Sequence, residues 1–146
     1  GKVAEARLDI VTLPSCNLIL IGRGRHPAPR GLTRVRQLRA AGVRVAAASD
    51  NVRDPFNQLG CYDPIKIANL LSHAAHMSSD DERRACIDMV SSVASEMMGL
   101  PSGLPEEGEA AEFVVFDIQD PELVLAENPP VFAVAAGGAV FTPAAP

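Results

Sequence analysis

Apolar residues in the first third of the chain fall in short, nearly continuous runs rather than in alternation with polar ones. Residues 8–14, LDIVTLP, and residues 43–49, VRVAAAS, are two such runs, and residues 17–22, NLILIG, are a third. The first two runs are typical of strands buried on both faces of a parallel sheet. Residues 34–41 carry a helical pattern that ends at Gly42. The order therefore predicts a strand–loop–helix–strand unit with two parallel strands.

The middle of the chain shows helical periodicity instead. Pro64 predicts the start of a helix that reaches about Met77, because proline is favoured at the first helical position. Ser79 and Glu82 have the spacing of a capping box, which predicts a longer helix that extends to about Met98.

Beyond a loop rich in Pro, Gly and Glu, the pattern changes again. Short runs rich in Val, Phe and Ala predict strands, and the Gly137-Gly138 pair predicts a hairpin turn between the last two. The predicted strands are residues 112–117, 131–138 and 139–143.

Composition excludes several classes of protein. The 146 residues carry a formal net charge of −5, which argues against nucleic-acid binding because that function calls for a basic face. No apolar run reaches transmembrane length, so we expect no membrane association. The three cysteines are far apart and odd in number, which indicates neither a disulfide framework nor a zinc cluster and favours the reducing cytoplasm.

The candidate chemistry follows the second predicted strand, in the segment 45-VAAASDNVRDPFNQLG-60. Asp50 comes one residue after the strand, and catalytic groups of parallel α/β sheets gather at the carboxyl ends of the strands. A carboxylate there can bind a metal ion or act as a general base. The simpler interpretation is that Asp50 caps the next turn, as Asp54 would before Pro55.

This segment resembles a known family. SDNVRDPFNQLG is similar to the loop after the eighth barrel strand in the cytosine deaminase branch of the amidohydrolase superfamily, and 13-LPSCNLILIGR-23 resembles the segment around strand seven. The stretch 30-RGLTRVRQLRAAGVRVA-46 matches the helix and strand between them. Downstream, 108-GEAAEFVVFD-117 resembles the strand with which these enzymes return to their small β domain. The resemblance spans nearly the whole chain in the right order.

The resemblance implies a fold and a reaction. The fold class would be α/β, with about strands 7 and 8 of a (β/α)8 TIM barrel and the following helices in residues 1–100. Residues 101–146 would supply strands of the small β-sandwich domain. Enzymes of this branch hold a divalent metal ion, usually iron or zinc. They remove ammonia or an amine by hydrolysis from a cyclic nitrogenous compound such as cytosine, a related pyrimidine or an s-triazine.

The resemblance also implies roles for residues. Asp50 matches the strand-eight Asp that contacts the metal and accepts a proton from the attacking water. Asn51 occupies the neighbouring position, where we expect contact with the substrate. Phe56 matches an aromatic residue that walls the substrate pocket, although packing of the loop is its plainer role. Asn17 matches the strand-seven Asn that shapes or supports the pocket.

The departures from the family are as informative as the matches. The family holds its metal mainly with histidines after strands one, five and six, whereas His26, His73 and His76 stand at none of these positions. Ile21 stands where bacterial cytosine deaminases tend to carry Gln, which weakens the case for cytosine itself. The chain opens near the seventh strand, without Met. We therefore expect a piece of a longer enzyme, or an oligomer in which a partner polypeptide supplies the N-terminal barrel half.

Other signals in the sequence are weaker. His73 and His76 lie three residues apart on a predicted helix, and such a pair is more often found at the surface than on a metal. IGRGRHP lacks the third Gly and the following helix of a dinucleotide-binding fingerprint. The rival to the enzyme hypothesis is a non-catalytic structural subunit or a degenerate fragment of an amidohydrolase. The two differ in whether metal ligands from another segment lie next to Asp50.

Overall fold

Short helices surround a pair of strands in the first part of the chain. The computed structural model describes residues 1–143, which divide into a first unit, residues 1–102, and a second unit from Gly103 onward. The elements of the first unit, in chain order, are α1 (Lys2–Glu5), β1 (Ile10–Thr12), α2 (Pro14–Leu20), α3 (Val35–Ala40), β2 (Val45–Ala47), α4 (Pro64–Ala74), α5 (Asp80–Val90) and α6 (Ser92–Met97).

The predicted parallel pair is confirmed. β1 and β2 pair in parallel along the three residues of each strand. β2 is buried throughout, whereas Val11 in the middle of β1 is half exposed. β1 is shorter than the predicted strand over residues 8–14, because Pro14 begins helix α2 at its first position. The apolar run over residues 17–22 therefore lies mainly on a helix.

The core of the first unit includes residues of β2, α4 and α5. Leu71 of α4, Met77 of the connecting turn, and Cys86 and Met89 of α5 are at most 1% exposed. Removal of apolar surface from water stabilises a fold by about 25 cal/mol for each Å². These buried side chains therefore hold the two helices together, and both helices contact β2.

The predicted helix starts are confirmed. Pro64 is the first residue of α4, and the side chain of Asp63 before it accepts hydrogen bonds from two backbone N–H groups of the first turn. Ser79 and Glu82 form the predicted capping box of α5, in which each side chain accepts a hydrogen bond from the backbone N–H of the other residue. Both helices thus begin next to a side chain that accepts hydrogen bonds from N–H groups of the first helical turn.

The single helix predicted up to residue 98 is wrong, because Ser91 separates α5 from α6. Ser91 has φ −131° and ψ −100°, outside the helical region, and its hydroxyl donates to the Ile87 carbonyl at 2.7 Å. Such side-chain bonds to the backbone compete with helix continuation. α4 also ends sooner than predicted, at Ala74, since His76 adopts a left-handed φ of 55°. None of the helices in the described part of the chain is long and apolar enough to cross a membrane.

The second unit, as far as it is described, is a small antiparallel sheet with a short helical segment. The strand order is β3-β4-β5. The predicted hairpin is confirmed: Gly137 and Gly138 join the last two strands with φ of 58° and 76°, which glycine adopts without strain. The elements are β3 (Phe113–Phe116), a 3-10 turn (Pro121–Leu123), α7 (Val124–Glu127), β4 (Val131–Ala136) and β5 (Ala139–Phe141).

One face of this sheet is apolar and exposed. The antiparallel register places Val114 and Phe141 on either side of Val134, and Phe132 lies two residues along the same strand. Residues opposite one another in antiparallel strands share a face. Val114, Phe132 and Phe141 are 47%, 61% and 59% exposed. These three exposed apolar side chains lie on one face of the sheet, and such a grouping favours contact with other protein.

Leu71→Ala should lower the free energy of unfolding by about 2–5 kcal/mol, because the side chain is fully buried and its removal leaves a cavity. Leu59→Ala is the matched control, since Leu59 is 82% exposed and the same truncation leaves no cavity there. Chemical denaturation followed by far-UV circular dichroism measures both variants. Equal losses in the two would contradict the packing described above.

Candidate active site

The carboxyl ends of β1 and β2 lie at one edge of the pair, because the strands are parallel. β1 continues into α2, and β2 continues into residues 48–63, which we call the β2 loop. The backbone N–H of Ala48 donates to the Thr12 carbonyl at 3.0 Å, so the sheet bonding extends to the start of this loop. The predicted site therefore lies where the β2 loop adjoins α2.

Asp50 stands near the start of the β2 loop in a left-handed conformation. Its φ is 59°, a value that Asp and Asn tolerate better than most residues. The residue is exposed, and its carboxylate makes no hydrogen bond or ion pair with any residue that the structure describes. Asp50 thus does not cap the following turn, and both of its oxygens are open to a ligand.

Asp54 caps the turn instead. Its Oδ1 accepts from the backbone N–H groups of Phe56 and Asn57, both at 2.9 Å, and its Oδ2 accepts from Nδ2 of Asn51. These bonds, that of Asn57 foremost, hold the pKa of Asp54 below its ordinary range because they favour the charged carboxylate. The two neighbouring carboxylates therefore differ: Asp54 orders the loop, while Asp50 is free.

Asn57 fastens the β2 loop to α2. Its side chain is fully buried, and Nδ2 donates to Oγ of Ser15 at 2.8 Å and lies 3.6 Å from Sγ of Cys16. Its Oδ1 is buried without a partner among residues 1–143. Reasoning from the sequence missed this residue, because an Asn within a polar loop gives no sign that it is buried.

Cys16, on α2, contacts the β2 loop on both sides of Asp50. The thiol is 2% exposed, and Sγ lies 3.7 Å from the carbonyl oxygen of Ser49 and 3.5 Å from Oδ1 of Asn51. The sequence assigned no role to this residue. A cysteine one residue before Asn17 indicates a contact with the β2 loop only when the three-dimensional structure is known.

The far end of the β2 loop returns to its start at Gly60. A Cβ atom at this position would lie 2.1 Å from the Asn51 carbonyl oxygen and 2.8 Å from Cα of Val52, so only glycine allows this approach. The Gly60 N–H also donates to the Asn57 carbonyl at 3.2 Å. The loop is therefore closed on itself, which favours one fixed backbone next to Asp50.

The structure places the other predicted site residues in different ways. Asn51 adjoins Asp50, and both the oxygen and the nitrogen of its side-chain amide form hydrogen bonds within the protein. Phe56 is 61% exposed, and its backbone rather than its ring takes part in the turn. Asn17, matched to strand seven, lies on helix α2, half-buried, and no described residue bonds its side chain. Substrate contact by these three residues stays a prediction.

Two clefts border the β2 loop, and Asp50 lies outside both. One cleft of about 530 Å³ is lined by residues of α2, the β2 loop and α4, among them Ser15 and Leu59. A smaller cleft of about 170 Å³ lies at the end of β2, where Ser49 and Asp63 line it. Asp50 is therefore not a lining residue of either cleft, although Ser49 next to it lines the smaller one.

The described residues do not by themselves make up a metal site. Within residues 1–143, no group of three or more His, Cys, Asp and Glu side chains is placed to hold a metal ion. His73 and His76 are exposed, and the His73 ring bonds the Asn69 carbonyl of its own helix at 3.0 Å. Asp50 offers a single carboxylate, so a divalent ion at this position would need ligands from elsewhere.

Of the three cysteines, Cys86 is not an activated nucleophile. Cys16, Cys61 and Cys86 are all free thiols, and the first and last are buried. Burial raises the pKa of the Cys86 thiol to about 11, so this group is protonated at neutral pH.

The chain belongs to the amidohydrolase family. The model described as "Amidohydrolase family" matches residues 3–134, nearly the whole of the described chain. Members of this family generally use a divalent metal ion. The family membership confirms the resemblance that the β2 loop and the segments around it predict.

Curated relatives of the chain are deaminases. It is 38% identical over 117 residues to the pterin deaminase of Rhizobium rhizogenes, covering 78% of this chain and 26% of the relative. It is 30% identical over 98 residues to the 5-methylthioadenosine/S-adenosylhomocysteine deaminase of Thermotoga maritima, covering 67% of this chain and 24% of the relative. The chain thus spans about a quarter of the length of the curated relatives it matches.

Solved structures share the fold. The 5-methylcytosine deaminase from Klebsiella pneumoniae liganded with phosphonocytosine superposes with a TM-score of 0.82 at 26% identity, over 94% of this chain and 34% of that one. N-isopropylammelide isopropylaminohydrolase from Burkholderia multivorans gives a TM-score of 0.77 at 24% identity, over 95% and 33%, and this likeness shows the fold alone. The mixed α/β arrangement therefore matches part of an amidohydrolase barrel protein.

The lowered pKa of Asp54 predicts how the β2 loop responds to acid. Such a group stabilises the fold above the unfolded pKa, about 3.9 for Asp, and this stabilisation is lost as the pH falls through the lower folded value. Exchange of the Phe56 and Asn57 amide hydrogens, relative to intrinsic rates, should therefore quicken only below about pH 4. Asp54→Asn should abolish this acid dependence, and Asp88→Asn, an exposed control on α5, should keep it. Persistence of the acid dependence in Asp54→Asn would contradict the assignment.

Proposed function

We propose that this chain is the part of a metal-dependent hydrolytic deaminase that supplies Asp50 to the catalytic site. The observation that carries the proposal is the free carboxylate of Asp50, which is exposed and unbonded among the described residues just beyond a buried parallel strand. The names of relatives at 38% and 30% identity support the reaction class, the hydrolytic removal of ammonia or an amine.

In this proposal, β1 and β2 are the seventh and eighth strands of the barrel. Residues 1–100 belong to the barrel, and residues 101–146 supply strands of the small β-sandwich domain. The parallel pairing and the superposition on the 5-methylcytosine deaminase support the first part. The apolar face of Val114, Phe132 and Phe141 supports the second, because one sheet of a sandwich needs another to cover its inner face.

Asp50 would act by proton transfer. A carboxylate beside the attacking water takes its proton as the oxygen bonds to the substrate carbon, and returns that proton to the nitrogen that leaves as ammonia or an amine. This role needs a carboxylate that is not already bonded within the protein, and the Asp50 carboxylate is unbonded among the described residues. Asp54 does not meet this need, because its two oxygens are bonded within the turn.

A divalent ion, iron or zinc, would take the Asp50 carboxylate as one of its ligands. The described residues contain no group of three or more His, Cys, Asp and Glu side chains placed to hold an ion, so further ligands would come from a segment outside them, in the same protein or in a partner polypeptide. In family members, such an ion supplies the acidity that makes water a nucleophile near neutral pH.

The substrate would be a cyclic nitrogenous compound that carries an amidine-like carbon. Cytosine, a related pyrimidine and an s-triazine all fit this description. Pterin is the first compound to test, because the relative at 38% identity is a pterin deaminase. Asn51, Phe56 and Asn17 would line or support the substrate pocket. Asn51 and Phe56 share the β2 loop with Asp50, and Asn17 lies on the adjoining helix α2.

Asp50→Asn, made in the protein that carries this chain, should lower kcat for ammonia release from pterin by about 100-fold or more, because the amide accepts no proton. Stability should change little, since Asn also tolerates the left-handed backbone. Asp88→Asn is the control, because it removes an exposed carboxylate of α5. Ammonia release and thermal unfolding should be measured on the same samples. Full activity in Asp50→Asn would contradict the catalytic role and favour a non-catalytic structural subunit.

The proposal also predicts a second source of metal ligands. Native mass spectrometry of the purified material should show a mass well above the 15.4 kDa of this chain. Metal analysis of the same sample should find about one divalent ion for each Asp50. A metal-free species composed of this chain alone would contradict the proposal that this chain takes part in catalysis.

A further inference from the structure

One sulfur atom contacts the residues on both sides of Asp50. Sγ of Cys16 lies 3.7 Å from the carbonyl oxygen of Ser49 and 3.5 Å from Oδ1 of Asn51. The thiol hydrogen can be shared between these two acceptors. Both neighbours of Asp50 therefore contact the same buried atom of α2.

The β2 loop reinforces this contact from its other end. Nδ2 of Asn57 lies 3.6 Å from the same sulfur, and Nδ2 of Asn51 donates to Asp54. The sulfur is therefore placed to donate to one part of the loop and to accept from another. Cys16 itself is fixed, since it is 2% exposed and belongs to α2.

Cys86 is a buried cysteine whose role is packing alone. It is fully buried within α5, and its sulfur contacts the sulfur of Met77 at 3.9 Å. Buried free cysteines commonly behave as small apolar residues of this kind. Cys16 differs because its sulfur faces a carbonyl and two amide groups, and all three belong to the loop that carries Asp50.

We propose that Cys16 is a positioning residue for Asp50: from α2, its thiol contacts Ser49 and Asn51 and so fixes the backbone position from which the Asp50 carboxylate projects. The inference rests on the proposed function of Asp50, and Cys16 itself does not touch the substrate. A thiol forms weak hydrogen bonds, so its effect combines bonding with the filling of the space between helix and loop. Small displacements of a reacting group are costly, about 100-fold in rate for roughly 1 Å.

Three variants of the protein that carries this chain test the inference. Cys16→Ala should speed amide hydrogen exchange in the peptide spanning residues 48–58, and should lower kcat for ammonia release from pterin by about 10- to 100-fold with KM little changed. Cys16→Ser, which keeps a donor and an acceptor, should restore most of both properties. Cys86→Ala is the matched control: it should lower the unfolding temperature and leave exchange in residues 48–58 and kcat unchanged.

The inference is overturned if Cys16→Ala leaves exchange in residues 48–58 at the natural rate, or if its kcat falls no further than that of Cys86→Ala. Should Cys16→Ala fail to fold, Cys16→Val removes the bonding and fills the space with one methyl group more than the thiol occupies. An unchanged kcat in that variant overturns the role of the thiol equally. Asp50→Asn separates the two proposals. Full activity in Asp50→Asn would contradict the catalytic role of Asp50. If Asp50→Asn is inactive while Cys16→Ala keeps normal exchange and normal kcat, only the positioning role of Cys16 is contradicted.

Discussion

The parallel pairing of β1 and β2 is the constraint on which the candidate site depends. Because the two strands run in the same direction, the helix after β1 and the loop after β2 leave the sheet at the same edge. α2 and the β2 loop are thereby brought together, and Cys16 and Asn57 come within bonding distance. In an antiparallel pair, these two segments would leave the sheet at opposite ends, and α2 would not contact the loop that carries Asp50.

The β2 loop itself is ordered by polar groups more than by apolar burial. Asp54 gathers two backbone N–H groups and one side-chain amide, Gly60 closes the loop, and Asn57 ties it to Ser15. A buried amide is costly unless it is bonded, so the anchor at Asn57 is tolerated because Ser15 satisfies it on one side. Asp50 can therefore be exposed and unbonded without the loop around it being loose.

Much of this arrangement is predictable from the sequence where it depends on local pattern. The parallel strands follow from continuous apolar runs, the start of α5 from the Ser79–Glu82 spacing, and the hairpin from a glycine pair. The break at Ser91 and the burial of Asn57 are not predictable in this way, since both depend on bonds that the three-dimensional fold selects. Asp50 and Asp54 have the same side chain, and only their surroundings separate one as free and the other as bonded.

The left-handed backbone at Asp50 also affects how mutational surveys of this loop should be interpreted. A residue with an ordinary Cβ costs roughly 1–2 kcal/mol in this conformation, whereas Gly, Asn and Asp fit it with less strain. Alanine scanning would therefore combine two effects at this position, the missing carboxylate and the strained main chain. A saturation library selected only for folding would favour Asp, Asn and Gly at position 50 because of the backbone conformation alone, so enrichment of Asp there is not by itself a sign of catalysis.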